Sequence, residues 1–302
     1  MIIKNLILSK ISNYNFKIIK IESLNNEFLK LINKNTKKLE SDYKFLNKLK
    51  KLKNNHLDNF VFLLRALDFR LWQYPQNWKY KNEQGFFGLM EKLIKLFEVL
   101  QFKEKKYLDY KADFSVFKKI ISPQENITLA KLRYKIFKYC LKWLRNYDYN
   151  FYNYFQENKD AFNFCFNLFE LEKFKDYYKD IYFLKPNQLL YLEYLLAKNL
   201  TENYKNELET LTIFADYKIP QIFINLDLIK IPLKYLKILK QGKIIRKFSS
   251  FENELRCASI LIGEEISQKL KIPNYKVDNI LWELSHKIKL KIPNPKVKTI
   301  FY

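Results

Sequence analysis

The residues best placed to do chemistry in this chain are carboxylates set among aromatic rings. In Phe214-Ala215-Asp216-Tyr217-Lys218-Ile219-Pro220-Gln221 an aspartate flanked by aromatics stands just ahead of a proline-started helix. A side chain there is held in a firm orientation, although the same position suits an ordinary helix cap that accepts backbone N–H groups. In Leu67-Asp68-Phe69-Arg70-Leu71-Trp72, followed by Trp78 and Tyr80, Asp68 and Trp72 fall four apart on one expected helix face. That pairing suits a planar nucleobase, stacked on a ring while the carboxylate takes hydrogen bonds from its exocyclic groups. In a chain with 17% aromatic residues, however, such a stripe is more often core. Glu254 and Arg256 are two apart and do not share a helix face, so each needs its own partner, a solvated charge being the commoner outcome. Asp278 and Trp282 repeat the four-residue spacing near the end of the chain, where a helix-start Asp and a core Trp explain it equally well.

Other chemistries are poorly supplied. Four glycines, Gly85, Gly88, Gly242 and Gly263, cannot form a phosphate-cradling loop or a dinucleotide fingerprint. With only His56 and His286, histidine triads and metal sites are thinly supported. Cys140, Cys165 and Cys257 are odd in number, far apart and set in apolar helical patterns, which fits a reducing compartment such as the cytoplasm and neither a disulfide framework nor a zinc site.

The elements that must position these residues read as helices. The 302 residues are 48% hydrophobic, enough for a sizeable core, and long stretches lack both glycine and proline. The pattern predicts one or two amphipathic helices over Ser23 to Lys53 and a helix from His56 to Tyr74 stopped by Pro75. Further helices are expected from Phe86 to Phe102, from the Ser122-Pro123-Gln124-Glu125 capping box toward Asn146, and from Asn158 to Tyr178. Pro186 opens one reaching Asn199, with Lys185 at its edge, and Pro220 looks like another start. Ser249 with Glu252 begins a helix to Leu270, and Val277 to Ile288 is the last. The expected class is all-α, a single compact domain over 1–302 in which 1–55 is a less diagnostic helical part. A formal charge of +23 would suggest a nucleic-acid or membrane partner, but Lys, Asn, Ile, Phe and Tyr are inflated together, as A+T-rich codons would produce, and the lysines form no single cluster. No secretory signal and no membrane span is read from the sequence.

As an ordered set, the segments resemble the queuosine salvage protein family. The run from Thr212 to Gln221 is similar to that family's T-[MI]-F-A-D-Y-R-[VLI]-P-Q, and Leu67 to Trp72 to its L-N-F-x-F-W. Gly85-Phe86-Phe87-Gly88-Leu89 resembles G-Y-x-x-L, and Phe183-Leu184-Lys185-Pro186-Asn187-Gln188-Leu189-Leu190 resembles F-Y-K-R-A-Q-x-L. Glu254 to Ser259 looks like E-I-R-x-x-S, and Val277 to Trp282 like a closing L-D-x-x-L-W. The sequence departs from the pattern at Asp68 (family Asn), Arg65 (Asp), Pro186 (Arg) and Asp227 (Gly). Ile231-Pro232 also stands where a Tyr-Ser pair is usual.

The resemblance implies a fold like the helical DNA glycosylases and hydrolysis of the N-glycosidic bond of queuosine 5′-phosphate, or a related modified nucleotide, to release the base queuine. Asp216 would stabilise the oxocarbenium-like sugar. Lys185 would hold Asp216 ionised, or contact the 5′-phosphate or leaving base. Phe69, Trp72, Phe214, Tyr217 and Trp282 would supply stacking rings, and Asp68 or Asp278 would bind the amino groups of the base. Gln188, Glu254 and Arg256 complete the expected substrate set, Arg256 either on phosphate or fixing Glu254 or Glu264. No metal or organic cofactor is required, and the partner is a small nucleotide rather than obligatory nucleic acid or membrane, with oligomeric state left open. Two rivals share the features: a non-catalytic helical RNA- or DNA-binding protein and a DNA glycosylase.

Overall fold

The fold is seen in a computed structural model that describes residues 2–36, 40–52, 57–71, 79–80, 83–99, 114–121, 127 and 129–302. It is 64% helical, with fifteen helices among the described residues and strands only as two-residue pairs. Two of these pairs tie distant parts of the chain together: Lys20–Ile21 runs antiparallel to Ile229–Lys230, and Ile244–Ile245 runs parallel to Lys296–Val297. Buried apolar side chains from Ile3 to Tyr302 form one contiguous core.

Four helices carry the architecture of the site. Lys185–Ala197 is buried almost all round and packs on Leu57–Leu67 and Ala161–Asn167. Pro186 sits in its first turn, where the missing N–H costs nothing. Ser250–Leu270 is capped by the Ser249 hydroxyl, which accepts the Glu252 N–H, while the Glu252 carboxylate reaches back to the Phe248 N–H at 2.8 Å. It packs against Asn274–Lys287, which in turn packs on Lys218–Asn225. A Cβ on Gly263 would lie 2.6 Å from Cγ2 of Ile213, so this glycine lets the long helix approach the segment that leads to Asp216.

Several expected boundaries move. Within the expected His56 to Tyr74 helix the structure has Leu57–Leu67, so Asp68 lies beyond its end. The cause is long-range: Arg133 donates to the carbonyls of Leu67 and Phe69 and Lys173 to that of Asp68, three successive carbonyls drawn to buried cations. Arg70 then turns left-handed at φ 45°. The Asn158 to Tyr178 helix is only Ala161–Asn167, followed by two short 3-10 turns and the Tyr177–Tyr178 strand. This break turns Lys173 and Asp176 inward. The helix expected at Pro220 begins at Lys218, and the last one begins at Asn274. The Ser122 capping box lies outside the described residues; the helix after it spans Ala130–Leu144. Among the described residues no helix is long and apolar enough to cross a membrane.

Candidate active site

The Thr212–Tyr217 segment is irregular, yet it is pinned at several points by buried side chains. Gln188 accepts the Thr212 N–H at 2.8 Å through Oε1, and its Nε2 donates to the Thr212 hydroxyl and to the Phe183 carbonyl, both at 3.1 Å. Asp278 Oδ1 accepts the Phe214 N–H at 2.8 Å. Arg256 Nε donates to the Ala215 carbonyl at 3.0 Å. Asp216 itself accepts the Lys218 N–H at 2.6 Å and the Ile219 N–H at 3.3 Å, all through Oδ1. It is therefore a helix cap and a cavity residue at once: Oδ2 has no partner among the described residues, and the side chain lines a cavity of about 610 Å³.

Around this cavity the charges are sorted. Asp68 is presented beyond the Leu57–Leu67 helix, its Oδ2 paired with Arg65, which also holds Glu193 through Nε at 3.0 Å and through Nη2. The Phe86 ring lies 4.8 Å from the Arg65 guanidinium. Burial would raise the Asp68 carboxyl, but Arg65, Lys185, Lys173 and Arg133 together outweigh it and hold the group below the ordinary range, so Asp68 is ionised. Asp278 is the opposite case. Burial first, and the nearby Asp216 charge second, push its carboxyl well above the ordinary range against the pull of the Phe214 N–H and Lys185. The same cavity thus holds Asp68, kept ionised by its cations, and Asp278, pushed toward the neutral acid, the separation of roles that acid–base sites use.

Lys185 is 95% withdrawn from solvent, and its ammonium group forms no hydrogen bond or ion pair among the described residues, although it feels the charges of Asp68, Glu193 and Asp278. Facing the cavity without a fixed partner, this ammonium group is placed to hold an anion or a strong acceptor on a ligand. At another part of the wall, burial lowers Lys218 while Asp216 opposes the shift. His286 packs against Trp282 with ring centroids 4.3 Å apart and the rings tilted by 46°, and its Nδ1 lies 2.8 Å from the Trp282 carbonyl. Burial lowers His286 too, so its imidazole favours the neutral form.

Of the residues proposed from sequence, Asp216, Lys185, Asp68, Asp278, Phe214, Tyr217 and Trp282 all line this one cavity. Four others do not, and each is used behind the wall. Phe69 is core, packed under Arg133 at 4.1 Å. Gln188 clamps Thr212 as described. Glu254 caps the chain far away, accepting the N–H groups of Lys17, Ile18 and Ile19 at 2.8–3.1 Å. Arg256 is fully paired with Asp176 and does not face the cavity or bind Glu254 or Glu264. Trp72 lies outside the described residues. Arg65, Glu193, Lys218, His286 and Tyr302 also line the cavity without having been proposed from sequence. The signal for Arg65 and Glu193 was present: each is a lone charge inside an apolar helical run, Phe60–Leu67 and Leu189–Leu196, and a charge so placed must be paired.

Fold and site together define a helical protein with a partly open pocket lined by carboxylates, cations and aromatic rings, sized for a small polar ligand. The chain belongs to the queuosine salvage protein family, whose profile, described as "Queuosine salvage protein", matches residues 48–302. It is similar to the queuosine 5′-phosphate N-glycosylase/hydrolase of Schizosaccharomyces pombe, at 30% identity over 112 residues, which are 35% of this chain and 32% of that protein. The match thus spans about a third of that relative's length.

Proposed function

We propose that this protein hydrolyses the N-glycosidic bond of queuosine 5′-phosphate, or a closely related modified nucleotide, and releases the free base. Family membership and the relative's named activity support the reaction class. The observation that carries it in this chain is the convergence of a capped Asp216 with one free oxygen, an Asp278 pushed toward the neutral acid and a Lys185 without a fixed partner among the described residues on one cavity.

In this reading the sugar sits over the free Oδ2 of Asp216, which stabilises the positive charge that develops at C1′ as the bond to the base breaks. The bonding pair leaves with the base, which takes a proton from Asp278. Water adds to C1′, and the one proton it gives up passes by way of Asp216 to Asp278, restoring the acid. Lys185 supplies the buried positive charge that holds the departing base or the phosphate. Phe214, Tyr217 and Trp282 flank the base, while Asp68, held ionised by Arg65, accepts from its amino groups. The small nucleotide is the only partner the reaction needs, the whole chain works as one unit, and three buried free cysteines fit the reducing cytoplasm.

The test is turnover of the purified mononucleotide with and without added RNA or duplex DNA across a salt series. Turnover indifferent to polynucleotide supports the reading. No turnover, together with tight, strongly salt-dependent polynucleotide binding, would replace it with a nucleic-acid-binding role.

A further inference from the structure

Asp176 is not part of the cavity lining and has no accessible surface, yet every acceptor it has is committed. Its own carbonyl accepts the N–H groups of Phe183 and Leu184, each at 3.0 Å. Its Oδ2 accepts the next N–H, that of Lys185, at 3.0 Å. One residue thereby takes three successive N–H groups and holds Leu184 in the left-handed conformation, φ 54°, from which the Lys185–Ala197 helix starts. The same carboxylate binds Arg256 in a fork, Nη1 to Oδ1 at 2.8 Å and Nη2 to Oδ2 at 2.6 Å. The remaining guanidinium donor, Nε, reaches the Ala215 carbonyl, one residue before Asp216.

We propose that Asp176 is a positioning residue that, through Arg256, sets the separation between Lys185 and Asp216. The role assigned to those two side chains rests on the glycosidic reading above. Each of the two sits on a piece of backbone with unusual geometry, a left-handed helix start in one case and an irregular segment in the other. The Asp176–Arg256 fork is a direct polar path between these two pieces. The plane of the guanidinium is fixed by the Phe183 ring at 3.8 Å and the Tyr302 ring at 5.0 Å, with Glu252 at 3.6 Å. Simple stability gives a weak reason for such a pair, since well-packed apolar side chains often replace a buried ion pair at no cost. Fixed direction gives a better one. Two parallel hydrogen bonds leave little freedom in distance or angle, and a 1 Å misplacement of a reacting group costs about 100-fold in rate.

Three variants test this: Asp176→Asn, Arg256→Lys, and the uncharged pair Asp176→Asn with Arg256→Gln, which removes both charges of the fork together if the single variants fail to fold. For whichever variants fold by circular dichroism, kcat for base release should fall about 10- to 100-fold while KM and affinity for the free base stay within about threefold. A folded variant with wild-type kcat, or one in which kcat and base affinity fall together, would overturn the proposal. Crystal structures of the same variants need no substrate. They should show the Lys185 ammonium and the Asp216 carboxylate displaced relative to each other within an otherwise superimposable core, and an unchanged separation overturns the proposal whatever the substrate. Absence of turnover in the wild type would count against the reaction assignment alone, with the crystallographic arm still deciding the role of Asp176.

Discussion

Asp278 accepts the N–H of Phe214 at 2.8 Å, joining the Asn274–Lys287 helix to the segment two residues before Asp216. Only Oδ1 is used. The second oxygen has no partner among the described residues and belongs to a side chain that lines the cavity, so this carboxyl can hold the segment and still offer a proton.

Replacing Asp278 by Asn should therefore keep the fold and lose the proton. Because burial and Asp216 raise the Asp278 carboxyl, the wild-type rate should be level where Asp278 is protonated and fall as pH rises through its elevated value. In Asp278→Asn, kcat should drop by about 10²- to 10⁴-fold and that alkaline limb should vanish. Stability follows the same sign: a carboxyl raised in the folded state disfavours folding once pH exceeds its unfolded value, so thermal unfolding of the wild type should lose ground toward alkaline pH more than that of the variant.

Lys185→Met removes a cation that makes no hydrogen bond or ion pair among the described residues and only assists Arg65 in holding Asp68 ionised, so the melting temperature should change little. The lost charged hydrogen bond to the ligand is worth about 1.5–3 kcal/mol, roughly 10- to 150-fold. Steady-state kinetics then says which ligand group it holds: a rise in KM points to the phosphate, a fall in kcat to the departing base.

Arg65→Ala leaves Glu193 and Asp68 buried without their cation and should destabilise the protein by about 3–5 kcal/mol in urea unfolding. In the wild type, Asp68 is held below its ordinary value, so its contribution is present above the usual carboxylate range and is lost as pH falls through the depressed value. The acid side of the stability curve should accordingly be shallower in the variant.

Gly263→Ala places a methyl carbon 2.6 Å from Ile213 Cγ2 and 2.7 Å from Cδ1. The crowding should cost about 1–3 kcal/mol. Because Ile213 is three residues from Asp216, turnover should fall as well, measurable by unfolding and base release on the same preparation.

How much of this was legible in the sequence depends on the range of the interactions. The helices of Lys185–Ala197 and Ser250–Leu270 were, because proline at the first turn and the Ser249 cap act within four residues. Asp216 was legible as a residue in a constrained turn, since its capping of Lys218 is equally local. The placement of Asp68 beyond the helix was not: carbonyls of Leu67, Asp68 and Phe69 are claimed by Arg133 and Lys173, more than sixty residues away. The separate partners expected for Glu254 and Arg256 do exist, but they are the 17–19 backbone and Asp176, a structural pair of roles that spacing alone cannot distinguish from ligand binding. Asp176 gave no local sign, since the partners of its carboxylate are the Lys185 N–H, nine residues on, and Arg256, eighty residues on.

The most direct test of the central claim is chromatographic detection of free queuine from queuosine 5′-phosphate with the wild type beside Asp216→Asn, both verified as folded by circular dichroism. Release by the wild type with loss of at least about 10²-fold in the variant is the expected result. Equal release by both, or none by either, would contradict it.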